Sequence, residues 1–368
     1  MIKVWDYLGE FEQEKEEMYA ALGKVFSSGR LILGESVKNF EAEFSSYCDQ
    51  KFGVGVNSGT DALFLALKAL DIGEGDEVIT VSNTAVPTIS AICSTGALAR
   101  FVDIDYHSYL MKVDQIEKAI TKKTKAIICV HLYGQCVDME TVSKIAQKHK
   151  LKLIEDCAQS HGATHKNKKC GSMSEAAAFS FYPTKILGGY GDGGMVVTSD
   201  EDIYHRLRRL RFYGMEDKYY SLEQGYNSRL DELHAEILRY KLKYLNRYID
   251  KRIFLAKRYS EKLANSSLIL PKIKADNKHV FYLYVCRHRR RDAIISELKK
   301  RDILVNISYP WPIHIMSGYS FLGYKPGDFP ETEKAAAEIF SLPMYPALTE
   351  QEQDVVCSAL VDILAKID

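Results

Sequence analysis

One lysine constrains this chain more than any other residue. Lys185 stands in Phe179-Ser-Phe-Tyr-Pro-Thr-Lys185-Ile-Leu-Gly-Gly-Tyr-Gly-Asp-Gly-Gly194, where a β-like run ends, a proline breaks it and a glycine-rich stretch follows. Upstream, Leu151-Lys-Leu-Ile-Glu-Asp156 reads as a strand that ends in a carboxylate. A lysine able to form a Schiff base, with a carboxylate for a pyridinium nitrogen, is the minimal constellation of pyridoxal phosphate (PLP) chemistry. The competing reading is a solvated lysine on a turn, and the surrounding sequence argues against it.

The flanking pattern says what would hold such a pair. Strand-like runs fall at Phe52–Asn57, Glu77–Val81, Ala99–Ile104, Lys125–Leu132, Leu151–Asp156, Ala176–Phe181 and Gly193–Thr198. Helical spacing separates most of them, at Thr60–Leu70, Pro87–Ser94 and Met139–Lys148. Hairpin signals are largely missing, so the expected fold is α/β, a seven-stranded, mostly parallel sheet covered on both faces. Ligands of such sheets bind at the carboxyl ends of strands, where Asn57, Asp156 and Phe181 fall.

The first thirty residues look helical and charged. Ser36 is placed to cap a helix carrying Val37, Phe40, Phe44 and Tyr47. From Leu233 to Leu263 the spacing predicts one long helix leading to a second unit. That unit is expected to be α+β: a strand at Val280–Val285, a helix at Asp292–Lys300, a strand at Leu304–Ile307, a loop from Tyr309 to Phe329, and helices near Glu331–Phe340 and Glu350–Ile367. The expected division is an N-terminal arm with the large domain over 1–245 and a small domain over 246–368.

Composition narrows the partners. Lys+Arg and Asp+Glu both number 49 in 368 residues, so bulk charge gives no reason to expect nucleic acid or a membrane surface. The run Arg287-His-Arg-Arg-Arg291 reads as a solvated loop before a helix. There is no signal-like N-terminus and no apolar stretch long enough for a bilayer. Eight cysteines without paired or zinc-like spacing read as reduced, which points to a cytoplasmic protein. His161 and His165 lie four apart, but without a third ligand they are weak grounds for a metal, and none is expected.

Three further segments carry chemistry. In Asn57-Ser-Gly-Thr-Asp-Ala-Leu63 a strand gives way to a helix. Gly59 permits close backbone approach, Thr60 offers a hydroxyl, and the free first-turn amides suit a phosphate. An ordinary cap, Ser58 over Asp61, fits the same residues equally well. Ser180, five residues before the lysine, is a second hydroxyl for that phosphate. Gln159 lies one turn beyond Asp156, where it reaches a cofactor ring or merely starts a helix. Gly225-Tyr-Asn-Ser-Arg-Leu-Asp231 reads as a polar turn with Asp231 as N-cap.

Taken together and in order, Ser58–Leu63, Val130-His-Leu-Tyr-Gly-Gln135, Glu155–Gly162, Ser180–Lys185, Gly191–Gly194, Tyr226–Asp231 and Gly327–Glu333 resemble the DegT/DnrJ/StrS family of nucleotide-sugar aminotransferases. The resemblance runs from about Arg30 to the C-terminus. It implies a type I (aspartate aminotransferase-like) PLP fold and a homodimer with shared active sites. By that resemblance Lys185 is the Schiff-base lysine, Asp156 the pyridinium partner and Gln159 a neighbour of the ring. Gly59, Thr60 and Ser180 hold the phosphate, and Asn227 reaches it from the other subunit. Tyr182, Arg229, Tyr309 and His314 fall in segments that line the sugar cleft.

Two positions depart from the pattern. Ala85 follows Asn83-Thr84 where relatives carry an aromatic residue, and Ser308 precedes Tyr309-Pro310 where a histidine is common. The implied reaction moves an amino group from L-glutamate to a keto carbon of a nucleotide-linked 6-deoxyhexose, with C-3 of a dTDP sugar favoured over C-4. A lysine-retaining relative with a regulatory role, or another PLP reaction such as dehydration, are the readings set against it.

Overall fold

The computed structural model describes residues 1–217 and 219–367. Seven strands form its central sheet: β1 (Phe52–Val56), β2 (Glu77–Val81), β3 (Leu98–Val102), β4 (Thr124–Val130), β5 (Lys152–Asp156), β6 (Ala176–Ser180) and β7 (Gly194–Thr198). Their spatial order is β1-β7-β6-β5-β4-β2-β3. Pairings from β6 across to β3 are parallel, whereas β7 runs antiparallel to both neighbours. The expected mostly parallel sheet is therefore present. Its centre is apolar on both faces, as covering helices require: β6 and β7 are buried throughout.

The covering helices include α1 (Tyr7–Ser28), α2 (Glu35–Tyr47), α3 (Gly59–Ala69), α4 (Val86–Ser94), α5 (Met139–His149), α6 (Glu201–Leu210), α7 (Glu232–Leu242) and α8 (Leu245–Lys262). Beyond them β8 (Tyr284–Arg287) pairs antiparallel with β9 (Ile339–Leu342), accompanied by α9 (Arg291–Lys299), α10 (Pro330–Glu338) and α11 (Glu350–Ile367). This part has its own apolar cluster, including Leu255, Tyr259, Tyr284, Ile294, Phe340 and Leu360.

Several local expectations need correction. The predicted helix over Leu233–Leu263 is two helices, broken where Lys243 and Tyr244 donate to Tyr240 and Lys241 in i→i−3 fashion. Helical spacing continues through that turn, which hid it. The helix expected to reach Phe340 stops at Glu338, and Ile339–Leu342 is a strand, as its β-branched and aromatic start favours. Leu304–Ile307 forms no ladder; Asn306 makes a single bridge to Ser341.

The run at Arg287 is not all solvated. Arg287 is fully buried, donating to the Tyr106 carbonyl (2.7 Å) and to Glu338 (3.1 Å). Its guanidinium also lies 4.0 Å from the centre of the Tyr106 ring.

Ser36 does not cap α2. The N-cap is Gly34, and the orphan amides of Gly34, Ser36 and Val37 donate to the Glu232 carboxylate at 2.7, 2.9 and 3.0 Å. One buried carboxylate at the start of α7 thus serves a helix start nearly two hundred residues earlier. Glu232→Ala should strand those amides and lower stability by about 3 kcal/mol in urea unfolding; a loss under about 0.5 kcal/mol would mean they find other acceptors.

Candidate active site

The carboxyl ends of β1, β5 and β6 open into a cavity of about 340 Å³. Seven residues singled out by sequence line it: Gly59, Thr60, Asp156, Gln159, Ser180, Tyr182 and Lys185. At one end, Ser58 caps α3 by accepting from the Asp61 amide at 3.1 Å. The capping reading and the phosphate reading are therefore compatible, because the earlier first-turn amides of Gly59 and Thr60 still lack intrahelical acceptors. The turn is pressed against β6 and β7. A Cβ on Gly59 would sit 2.6 Å from Ser180 Cβ, and one on Gly194 would sit 2.2 Å from the Ser58 carbonyl oxygen. Two glycines thus bring the amides and the Ser180 hydroxyl into one cradle.

Asp156 ends β5 almost fully buried. Its Oδ2 accepts from Thr88 Oγ1 at 2.8 Å and its Oδ1 from the Ala158 amide at 3.2 Å. Thr88 Oγ1 in turn lies 3.0 Å from Thr84 Oγ1. Burial pushes the Asp156 carboxyl above the usual carboxylate range, opposed by the Thr88 hydroxyl, the Ala158 amide and the charge of Lys185. A buried carboxylate with one side still open to the cavity suits a cationic ring nitrogen.

Lys185 follows the Pro183 turn, its amide donating to the Tyr182 carbonyl at 2.8 Å. Its Nζ lies 4.7 Å from the centre of the Tyr282 ring, which also lines the cavity. Tyr282 OH pairs with Thr184 Oγ1 at 3.1 Å. Thr84, Thr88 and Tyr282 were not found by sequence reasoning. Thr84 and Thr88 had a faint signal in their four-residue spacing at a helix start; Tyr282 had none, because it arrives from the second part of the chain.

Gln159 is already engaged. Its Oε1 accepts from the Tyr133 amide at 2.8 Å and its Nε2 donates to Tyr309 OH at 2.7 Å. One Nε2 proton remains for a ligand. Tyr133 and Tyr309 both adopt left-handed backbone (φ 59° and 64°), and their rings stack at 6.2 Å. Tyr309 therefore meets the site through Gln159 and does not line the cavity.

The remaining predicted residues are not gathered here. His314 is buried, with Nδ1 2.7 Å from Ser82 Oγ and Nε2 3.0 Å from Glu333 Oε1. Both ring nitrogens are used in fastening its loop. Asn227 is exposed and Arg229 half-buried against the rings of Phe212 and Tyr213, and neither lines the cavity of its own chain. Asp231 precedes α7 without a side-chain cap bond.

Ala85 lines the cavity, as the departure from the family pattern implied, and the aromatic side chains there are Tyr182 and Tyr282. His161 is packed among Phe44, Phe179 and Phe181, and burial lowers its pKa to about 3.

Two overlapping buried groups share His131, which also lines the cavity: His131 with Cys136 and Cys170, and His131 with Glu155 and Cys157. His131 and Glu155 are already engaged by protein partners. The Val137 amide donates to His131 Nδ1 at 3.1 Å, which puts the ring proton on Nε2, 2.9 Å from Glu155. Glu155 also accepts from the Gly171 and Met173 amides, each at 2.8 Å, and from Ser174 Oγ at 2.9 Å. His131 has no lone pair left to give.

A flat pyridine with a phosphate arm fits the first site: a cradle suited to the phosphate, a buried carboxylate suited to the ring nitrogen and a lysine lining the same cavity. Residues 12–361 match the model of the DegT/DnrJ/EryC1/StrS aminotransferase family, and the chain belongs to that family. The chain is 53% identical over 98% of both sequences to the dTDP-3-amino-3,4,6-trideoxy-alpha-D-glucose transaminase of Micromonospora megalomicea subsp. nigra. It is 42% identical, again over 98% of both, to the pleiotropic regulatory protein of Geobacillus stearothermophilus. The crystal structure of S. venezuelae DesV in complex with a ketimine intermediate superposes with a TM-score of 0.98 at 40% identity, covering 100% of this chain and 99% of that one.

Asp156 gives the site a pH signature that needs no cofactor. An aspartate raised in the fold favours the protonated protein, so its contribution to stability is lost as pH climbs from about 4, where the unfolded residue ionises, through the raised folded value. In cofactor-free protein, the melting advantage of Asp156→Asn over wild type should therefore grow across that window and then level off. A difference that stays flat with pH would show that Asp156 ionises as it does in the unfolded chain.

Proposed function

We propose that this family member, a PLP-dependent aminotransferase, transfers the amino group of L-glutamate to C-3 of a dTDP-linked 3-keto-6-deoxyhexose, releasing 2-oxoglutarate and a 3-amino sugar nucleotide. The observation that carries the choice of sugar is the 53% identity, end to end, with a transaminase named for a dTDP-3-amino sugar. The product would serve amino-sugar or surface-glycan assembly.

Each residue has a physical task. When bound, PLP supplies an electron sink for the carbon that loses its proton. Lys185 would anchor the cofactor and, once released, its Nζ would carry the proton between the substrate carbon that bears the amino group and the cofactor carbon. Asp156, oriented by the Thr88 hydroxyl and the Ala158 amide, supplies negative charge beside the ring nitrogen. The amides of Gly59 and Thr60 and the Ser180 hydroxyl take the phosphate. Gln159 presents its remaining N–H toward the ring edge, held in place by Tyr133 and Tyr309.

Tyr182 stands half-exposed at the mouth, where a sugar would enter. Asn227 and Arg229 lie outside the cavity of their own chain, and in this reading they complete the site of a second copy in a homodimer. Residues 1–245 carry the cofactor cradle, and residues 246–368 form the small domain.

A regulatory reading has one observation in its favour, the similarity to a protein named as a regulator. It leaves the Lys185, Asp156 and Ser180 arrangement without use. A C-4 aminotransferase would use the same residues with the sugar turned in the cleft.

The test runs the reaction backwards. PLP-loaded protein is titrated with individual aminated nucleotide sugars while the cofactor spectrum is recorded. Conversion by one dTDP-3-amino sugar, and not by its 4-amino isomer, is the expected result. Conversion only by a 4-amino sugar would move the reaction to C-4, and a spectrum that no amino sugar changes would overturn the assignment. Lys185→Ala should cut turnover by about four orders of magnitude; a mutant near the wild-type rate would remove Lys185 from the mechanism.

A further inference from the structure

Tyr282 is the one aromatic side chain in the cavity that the second part of the chain contributes. Its position is fixed from several directions. The segment carrying it docks on the turn after β4, where the Val280 amide donates to the Gly134 carbonyl at 2.9 Å. Gly134 has φ +105°, and a Cβ there would lie 2.9 Å from the Tyr282 nitrogen. Fully buried Arg252 donates through Nη1 to the carbonyls of Phe281, Tyr282 and Met344, at 3.3, 3.1 and 2.9 Å. Phe281 sits at φ 49°, a conformation that non-glycine residues hold only where their surroundings impose it. The result of this constraint is a ring whose face lies 4.7 Å from Lys185 Nζ and whose hydroxyl pairs with Thr184, the residue before the lysine.

We propose that Tyr282 is a positioning residue for the catalytic lysine: its ring face holds the Lys185 ammonium in the cavity whenever that amine is not bonded to the cofactor. The inference rests on the aminotransferase reading, in which the lysine must leave the cofactor, carry a proton and return in every turnover. A free lysine side chain has four rotatable bonds and a strongly hydrated head. Left unguided, it would swing out among the solvent at the half-exposed mouth.

A ring face offers attraction to the cation without a hydrogen-bond acceptor that would trap the proton. The amine is thus kept near the reacting carbon and stays free to release its proton there. The Tyr282 hydroxyl acts on the Thr184 side, steadying the ring. The small domain thereby takes part in the chemistry and does more than cover the cleft.

The test compares Tyr282→Phe, which keeps the ring, with Tyr282→Leu and Tyr282→Met, which remove it at two different shapes. The first readout uses cofactor-free protein and so does not depend on which sugar is the substrate. Lys185 is acylated with an amine-selective reagent near neutral pH and quantified by peptide mass spectrometry, with exposed Lys144 as internal standard. Loss of the ring should raise the Lys185 rate about ten-fold relative to Lys144, because the unreactive ammonium loses its partner; Tyr282→Phe should match wild type.

The second readout uses the loaded enzyme. Removal of the ring should lower kcat about ten-fold with KM for the keto sugar changed less than three-fold, and Tyr282→Phe should restore kcat. Unchanged Lys185 reactivity in both ring-less variants, with folding verified by melting, would overturn the proposal. So would a Phe variant as impaired as the other two, which would place the effect in the hydroxyl. If reactivity shifts as expected but no sugar is turned over, the positioning role stands and the substrate reading fails.

Discussion

Everything at this site depends on how closely one turn can approach two strand ends. The Ser58–Gly59 turn lies against Ser180 and Gly194 with no room for a side chain at either glycine. That approach does two things at once. It sets the first-turn amides of α3 beside the Ser180 hydroxyl, and it ties the antiparallel β7 into a sheet that is otherwise parallel toward its centre. The loop that leaves β6 therefore starts from a fixed point, and Lys185 is only five residues further on. The backbone at Lys185 is thus placed relative to that turn by close packing.

The electrostatics follow the same logic of fixed partners. Asp156 and Glu155 are adjacent on β5, so their side chains point to opposite faces of the sheet. Glu155 is saturated by four donors from the protein. Asp156 receives only Thr88 and Ala158, and is left facing the cavity. Two neighbouring carboxylates, both buried, thus differ: one is a structural hub, the other lines the cavity with fewer protein donors. Sequence reasoning singled out Asp156 and passed over Glu155.

What could be read without coordinates was what local pattern encodes. The strand before Asp156, the break before Lys185 and the glycine-rich tail are all visible within a few residues, and the cavity gathers that group around Lys185. What could not be read depends on long-range approach. Tyr282 lies nearly a hundred residues from Lys185, and nothing around Phe281 announces that it will point there. The partners of the buried His314 ring, Ser82 and Glu333, could not be read from its segment either. Ser36 looked like a helix cap because serines usually are; the acceptor came instead from Glu232, which only the fold brings near. The break at Lys243–Tyr244 and the strand at Ile339 failed for a simpler reason, since apolar spacing alone does not mark where one element yields to another.

The loop from Tyr309 to Phe329 is fastened by largely buried groups. His314 joins it to Ser82 next to the cavity, and Asp103 accepts from Glu331, Thr332 and the Thr332 hydroxyl just beyond its end. Trp311, just before the first anchor, and Phe321, between the two, stand 67% and 60% exposed. Stability is thus invested in the anchors and almost none of it in the tips. Such a loop can drift through many side chains at its tips while the fold stays indifferent to the change. It is an arrangement in which a lineage can try new molecular preferences at little risk to the scaffold beneath the loop.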